Sequence, residues 1–198
     1  MSTVDTKTVH TVLVKEYRAV ARDPTAFRHH LTGRALAAAT GYQPDWLGTA
    51  PEPSLSLFAG VGNPFLAGPI APGARVVDVG CGAGFDTFIA ASLAGPDGEV
   101  IGVDLTAEML TVARQAAAGA PGAPVRFLEG TAEALPVPAG WADIAISNGL
   151  LNLVPVRAAA LAELARVLRP GGAVQVGDLA VERPVPASKR ANPAFWKT

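Results

Sequence analysis

The sequence predicts an α/β fold built on a doubly wound, mainly parallel sheet, and three observations predict it. Short strand-like runs recur at 75–79, 99–103, 125–128, 142–147 and 173–179, the first mostly β-branched; helical patterns alternate with most of them; and the first run breaks into three close-set glycines, Gly80, Gly82 and Gly84. Strands alternating with helices imply parallel pairs joined by right-handed crossovers, and ligands in such sheets lie beyond the carboxyl ends of the strands.

Taken in order, 8–22 places Val9, Val12, Leu13, Tyr17 and Val20 at helical spacing, and Asp23-Pro24 ends that helix. A second helix is expected over 27–39. From 40 to 72 the chain is rich in Pro and Gly, yet Trp46, Leu47, Leu55, Leu57, Phe58 and Phe65 make it too apolar for a free linker. It is therefore expected to fold over the core that follows. Residues 1–72 read as an N-terminal helical lid and cap segment and 73–198 as the ligand-binding core, one folding unit overall.

In the core, 75–79 is a buried strand running into the glycine turn, and 85–94 is a helix with Phe85, Phe88, Ile89 and Leu93 at helical spacing. Gly95-Pro96-Asp97-Gly98 stops it, and 99–103 forms the next strand, ending on Asp104. Thr106 suits an N-cap for a helix through Met109, Leu110, Val112, Ala113 and Ala116. The third strand, 125–128, leads to Gly130, Thr131, Ala132 and Glu133, and the fourth, 142–147, ends at Asn148. An amphipathic helix follows over 156–168, stopped by Arg169-Pro170-Gly171-Gly172, and the fifth strand is expected over 173–179.

The glycine turn has a definite chemistry. Residues without a Cβ let a turn take positive φ and let a ligand approach the backbone. Asp104, at the tip of the neighbouring strand, is placed to accept hydrogen bonds from ribose hydroxyls. The order here is GxGxG preceded by Asp78, whereas a dinucleotide fingerprint runs GxGxxG. A carboxylate beside the loop repels a pyrophosphate and suits a cation. S-adenosylmethionine (SAM) has a ribose, a cationic amino-acid end and no phosphate, so SAM is the expected cofactor.

DVGCGAGFD, then GVD, LPV, ISN and RVLRPGG, resemble the motifs of the class I SAM-dependent methyltransferases in their usual order. The resemblance is closer to the arsenite methyltransferase branch: GVGNP at 60–64 is similar to its CGNP segment, GAGFDTFIAA to its loop and first helix, GVDLTAEML to its second strand and helix start, and ISNGLLNL to its ISNCVINL-like segment. It covers the chain from about Val14 to Trp196. It implies a Rossmann-like class I methyltransferase fold and a cofactor site of Asp78, Gly80, Cys81, Gly82, Gly84 and Asp104, with Leu105 and Met109 flanking the adenine and Thr131 and Ala132 at its edge. VKEY at 14–17 resembles the start of the family's catalytic domain, which makes Tyr17 a candidate sulfonium contact, with helix packing as the alternative reading. Asn148 falls where the backbone lies beside the amino-acid end of SAM. Glu133 stands between a site role and helix-start capping.

Two departures from the family pattern matter. The class adds two antiparallel strands beside the fifth, yet the residues after Leu179, with Pro184, Pro186 and Pro193, cannot supply both. The sheet appears shortened, so a second copy, a partner chain or the lid covers its edge, or the chain is a piece of a longer protein. The second departure removes the arsenic ligands. Where the family has cysteines in CGNP and SNC this chain has Val61 and Gly149, the third would fall just past Trp196, and thiolates are what a soft arsenic centre prefers. The expected function is in-line methyl transfer from SAM to a small organic molecule. A SAM-binding but inactive shortened homologue, or a partner subunit, is the alternative, and a nicotinamide-dependent reductase a distant third. No catalytic side chain is assigned.

Composition sets the outer limits. With 198 residues, 49% hydrophobic and 17% charged, the chain suits one compact unit with a sizeable core. A net charge of -1 offers no general field for nucleic acid or an anionic membrane. Cys81 is the only cysteine, so an intrachain disulfide is excluded, and inside the glycine turn it is expected to pack as a small residue. His10, His29 and His30 form no chelating pattern, and no metal site is expected. No run approaches a membrane span or the apolar core of a leader peptide, which points to a cytoplasmic protein.

Overall fold

The computed structural model describes residues 5–23 and 31–197. His29 and His30, and the first part of the helix expected over 27–39, lie outside them. Five strands, β1 (Arg75–Val79), β2 (Glu99–Asp104), β3 (Val125–Glu129), β4 (Ala142–Asn148) and β5 (Leu168–Gly177), form one sheet in the order β3-β2-β1-β4-β5, every pair parallel. This is the Rossmann-like class I methyltransferase architecture the sequence predicts. β1 and β2 are buried almost throughout, as strands covered on both faces must be.

Before the sheet come α1 (Thr6–Arg22), α2 (Gly33–Ala39), the short helices α3 (Pro44–Leu47) and α4 (Glu52–Ser56), and a 3-10 turn over Pro64–Ala67. Within it lie α5 (Phe85–Ala94), α6 (Ala107–Ala116) and α7 (Arg157–Val167). α5 and α6 cover one face together with Tyr42, Leu55, Phe58 and Phe65 of the N-terminal section, and the inner side chains of α7 cover the other. After β3 the chain crosses back to β4 beside β1, so the carboxyl ends of β1 and β4 flank the topological switch point where α/β sheets place ligands. α1 lies over that end, sharing apolar clusters with Leu57, Ala83, Met109 and Leu153.

Several expected boundaries shift for physical reasons. β5 starts at Leu168, directly after α7, because Leu168 already pairs with Ala142; the next register pair is Ala173 with Ile144, and Arg169 to Gly172 bulge between them. The bulge is pinned by Asp143, whose carboxylate accepts from the Arg169 guanidinium and from the Arg75 backbone N–H at 2.6 Å. β5 ends at Gly177 instead of Leu179, because Asp178 turns out of the sheet and accepts from the Leu151 N–H at 2.6 Å. Thr106 stands at the N-cap of α6 without a side-chain cap; its backbone N–H is held by Asp104.

Beyond β5, α8 (Ala187–Arg190) and a 3-10 turn over Pro193–Lys197 return to α1, where Trp196 packs with Val9, Leu13 and Leu153. Among the described residues no strand pairs with the outer side of β5. No helix among them is long and apolar enough to cross a membrane.

Phe88 is 1% exposed and meets Phe127 edge-on, their ring centroids 5.7 Å apart, where α5 packs against the sheet. Phe88→Ala is expected to destabilise the protein by about 3–5 kcal/mol. A urea denaturation midpoint equal to wild type would contradict that placement of α5.

Candidate functional site

The glycine turn between β1 and α5 is tied to β2. The N–H groups of Gly80 and Cys81 donate to the Val103 carbonyl at 2.8 and 3.0 Å, and that of Gly82 donates to Oδ2 of Asp104 at 2.8 Å. The other carboxylate oxygen of Asp104 accepts from the Thr106 N–H at 2.8 Å. Such close folding needs backbone that only glycine adopts readily: Gly80 and Gly82 have φ of 79° and 52°. A Cβ on Gly82 would meet no protein atom within 4 Å, so the turn is open to a ligand there.

One cavity collects nearly all the residues picked out from the sequence. Tyr17, Asp78, Gly80, Cys81, Gly82, Asp104, Leu105, Met109, Thr131, Ala132 and Asn148 all line it. Gly84 does not: it begins α5 at a φ of 89°, and a Cβ there would come within 2.9 Å of the Phe127 ring. Its absent side chain serves helix packing. Cys81 is buried, and burial followed by the charges of Asp104 and Asp78 holds its thiol well above the ordinary range. Burial, then Asp104 and Glu16, pushes the Tyr17 phenol up to about 12. Both groups stay neutral near pH 7.

The structure adds wall residues that sequence reasoning did not single out, among them Ser54, Phe58, Asp86 and His10. His10 Nε2 lies 3.4 Å from Oε1 of Glu133, joining α1 to the loop after β3. Glu133 caps no helix. Asp86, in the first turn of α5, accepts from the Tyr42 hydroxyl at 2.5 Å and from Asn148 Nδ2 at 3.0 Å. Tyr42 itself is wedged among Phe58, Phe65 and Phe85.

Asn148 closes the inner end of the cavity. Its Oδ1 accepts from the N–H groups of Val61 and Gly62 at 2.9 and 3.1 Å, and its Nδ2 reaches the Gly62 carbonyl at 2.9 Å. The amide is thus spent within the protein. This clasp needs Gly60, where a Cβ would come within 2.4 Å of Asn148 Nδ2. It also brings Val61 opposite Gly149: a Cβ on Gly149 would lie 3.4 Å from Val61 Cγ1. The two positions at which thiolates would stand are neighbours, and they hold a valine and a glycine.

The electrostatics are one-sided. Asp78, Asp86 and Asp104 face the same cavity, with Glu133 at its rim, and no lysine or arginine lines it among the described residues. Asp78 accepts from the Thr87 hydroxyl at 2.6 Å, but burial and then the charge of Asp86 hold its carboxyl well above the usual range. Burial raises Asp86 to about 6 against the lowering effect of the Tyr42 and Asn148 hydrogen bonds. Burial also raises Asp104, against the Thr106 and Gly82 N–H groups. Carboxylates crowded in this way are short of positive charge, and a cationic ligand supplies it.

Comparison with known proteins adds the following. The family described as "Methyltransferase domain" matches residues 70–198. An arsenite methyltransferase of Halobacterium salinarum is 40% identical over 153 residues, which cover 77% of this chain and 39% of that protein. A demethylmenaquinone methyltransferase of Lactococcus lactis is 39% identical over 103 residues, 52% of this chain and 40% of that protein. The chain thus spans about two fifths of the length of these curated relatives. Among solved structures, an arsenic(III) S-adenosylmethionine methyltransferase from Chlamydomonas reinhardtii superposes with a TM-score of 0.64 at 33% identity, covering 83% of this chain and 55% of that one.

The raised carboxyl of Asp86 has a thermodynamic sign. A carboxyl whose folded pKa, about 6, exceeds its unfolded value binds more protons in the folded state. Its stabilisation is therefore complete below about pH 4 and is lost as pH rises through about 6. In the ligand-free protein Asp86→Asn is expected to flatten the fall in stability between about pH 4 and pH 7, by roughly 1–3 kcal/mol for this one group. Asp78 and Asp104 keep the remaining slope. Urea denaturation at several pH values measures this, and an unaltered slope in the variant would mean that Asp86 ionises as an ordinary carboxylate.

Proposed function

Because the chain belongs to the methyltransferase-domain family, close to the arsenite branch of the class I SAM-dependent methyltransferases, we propose that it binds SAM and transfers the sulfonium methyl in line to a small organic molecule. The observation that carries this reading is the Asp104 carboxylate locked to the glycine turn in a cavity with three aspartates and, among the described residues, no lysine or arginine on its wall. The donor set fits the cofactor. Each oxygen of Asp104 accepts a backbone N–H, and the carboxylate stands on the cavity wall where ribose hydroxyls would reach it. Asp78 and Asp86 supply the negative charge that an ammonium and a sulfonium need, and the same charges disfavour the pyrophosphate of a nicotinamide cofactor.

When bound, SAM supplies an electrophilic methyl on positively charged sulfur. The protein's share is to bind, orient and exclude water. Asp104 would hold the sugar, Leu105 and Met109 would flank the base, and the glycine turn would let the cofactor come close to the backbone. His10, Leu13 and Tyr17 of α1 cover the cavity, and the described part of the N-terminal section, 5–23 and 31–72, would act as a lid on the core that follows. Tyr17 and Cys81, held neutral, take no proton from the acceptor near pH 7. Catalysis then rests on holding the acceptor's lone pair in line with the methyl, which can supply much of the rate acceleration by itself.

The substrate follows from the inner end. Gly149, which lines the cavity, and Val61 beside it leave no thiolate where soft ligands would bind arsenic, and the one cysteine, Cys81, is buried in the glycine turn. An organic acceptor suits that surface, and one relative is named for such an acceptor, demethylmenaquinone. The methyltransferase names of the relatives favour turnover over a binding-only role.

Calorimetry with SAM tests the cofactor. Micromolar-range binding is expected, with Asp104→Ala weakening it at least roughly tenfold, the scale of a lost hydrogen bond to a charged group; equal affinity would refute the ribose assignment. Incubation with thiol, phenol and amine acceptors is expected to release S-adenosylhomocysteine from at least one. Tight binding without turnover on any of them would replace the enzyme by the binding-only homologue.

A further inference from the structure

α4 carries a hydroxyl that nothing in the protein satisfies. Ser54 is 0% exposed, it lines the cavity, and its Oγ has no hydrogen-bond partner. A buried hydroxyl left unpaired is costly, and native structures rarely leave one so without a reason. The neighbouring hydroxyls follow the usual local solution: Ser56 donates to the Pro53 carbonyl at 3.0 Å, and Thr49 to that of Trp46 at 2.8 Å. For Ser54 the corresponding acceptor is the Pro51 carbonyl, which already accepts from the N–H groups of Ser54 and Leu55, each at 3.0 Å. A carbonyl oxygen has two lone pairs, and both are used. Leu57 and Phe58, on the same wall, have apolar side chains that cannot pair with the hydroxyl.

We infer that Ser54 is a ligand-binding residue, its hydroxyl donating to an oxygen of the molecule held in this cavity, either a ribose hydroxyl or the amino-acid carboxylate. The inference rests on the SAM reading above and extends it: the N-terminal section contributes a polar contact to the ligand as well as a cover. The carboxylate has a particular need of such donors, since among the described residues the wall provides no lysine or arginine and the Asn148 amide is engaged.

The test compares wild type with Ser54→Ala by calorimetry, using S-adenosylhomocysteine, which has both ribose and carboxylate, and 5′-methylthioadenosine, which has only the ribose. Thermal midpoints without ligand are measured alongside. The alanine variant is expected to be as stable as wild type or more so, since it loses an unsatisfied hydroxyl, and to bind S-adenosylhomocysteine roughly five- to tenfold more weakly. A matching loss for 5′-methylthioadenosine assigns the contact to the ribose; a loss confined to S-adenosylhomocysteine assigns it to the carboxylate. Unchanged affinity for both compounds overturns the inference while leaving the SAM reading intact. Wild-type protein that binds neither overturns both. Should the alanine variant fail to fold, Ser54→Cys, nearly equal in size and a weak donor, is expected to show the same loss.

Discussion

The double hydrogen bond of Asp104 is the constraint on which the site depends. One carboxylate oxygen holds the Gly82 N–H of the glycine turn and the other holds Thr106 at the start of α6. A single acid at the tip of β2 thereby fixes the turn after β1, the helix after β2 and the gap between them. The sheet order makes this possible: β1 and β2 are parallel neighbours in register up to Val79 and Val103, so their carboxyl ends stand side by side. The turn's own N–H bonds to Val103 complete the lock. The floor of the cavity is therefore set by strand pairing.

Above that floor the electrostatics have a direction. Burial raises Asp78, Asp86 and Asp104 together, and the hydrogen bonds from Thr87, Tyr42, Asn148 and the backbone only partly offset it. The aromatic nest of Phe58, Phe65 and Phe85 around Tyr42 contributes indirectly, by aiming the hydroxyl at Asp86. A pocket of this kind favours a positively charged guest. That is the physical content of reading GxGxG with an adjacent acid as a site for a phosphate-free cation.

Much of this could be read in the sequence because it is local. The β-branched run of β1, the glycine turn and the apolar spacing of α5 give Arg75–Val79 and Phe85–Ala94 as observed, and Asp104 follows by strand periodicity. What escaped is long-range. Asp86 looks like a polar position on a helix until Tyr42, 44 residues away, and Asn148, 62 residues away, converge on it. Ser54 belongs to a Pro-rich stretch with no periodicity to mark it. Gly84 was grouped with the turn because spacing cannot distinguish a glycine that faces a ligand from one that makes room for Phe127. The start of β5 was missed because Arg-Pro-Gly-Gly reads locally as a stop, whereas the Asp143 carboxylate folds it into a bulge.

The Asn148 clasp has a consequence for anyone wishing to alter what the cavity accepts. Because one amide grips the 61–62 backbone and also Asp86, trimming it to widen the inner end would loosen a wall and unbalance an acid in the same stroke. Val61 and Gly149 meet only through the valine's side chain, which is apolar and makes no hydrogen bond. Bulk at the valine can be changed without touching the amide, which stays as the fixed hinge-pin of the 61–62 backbone.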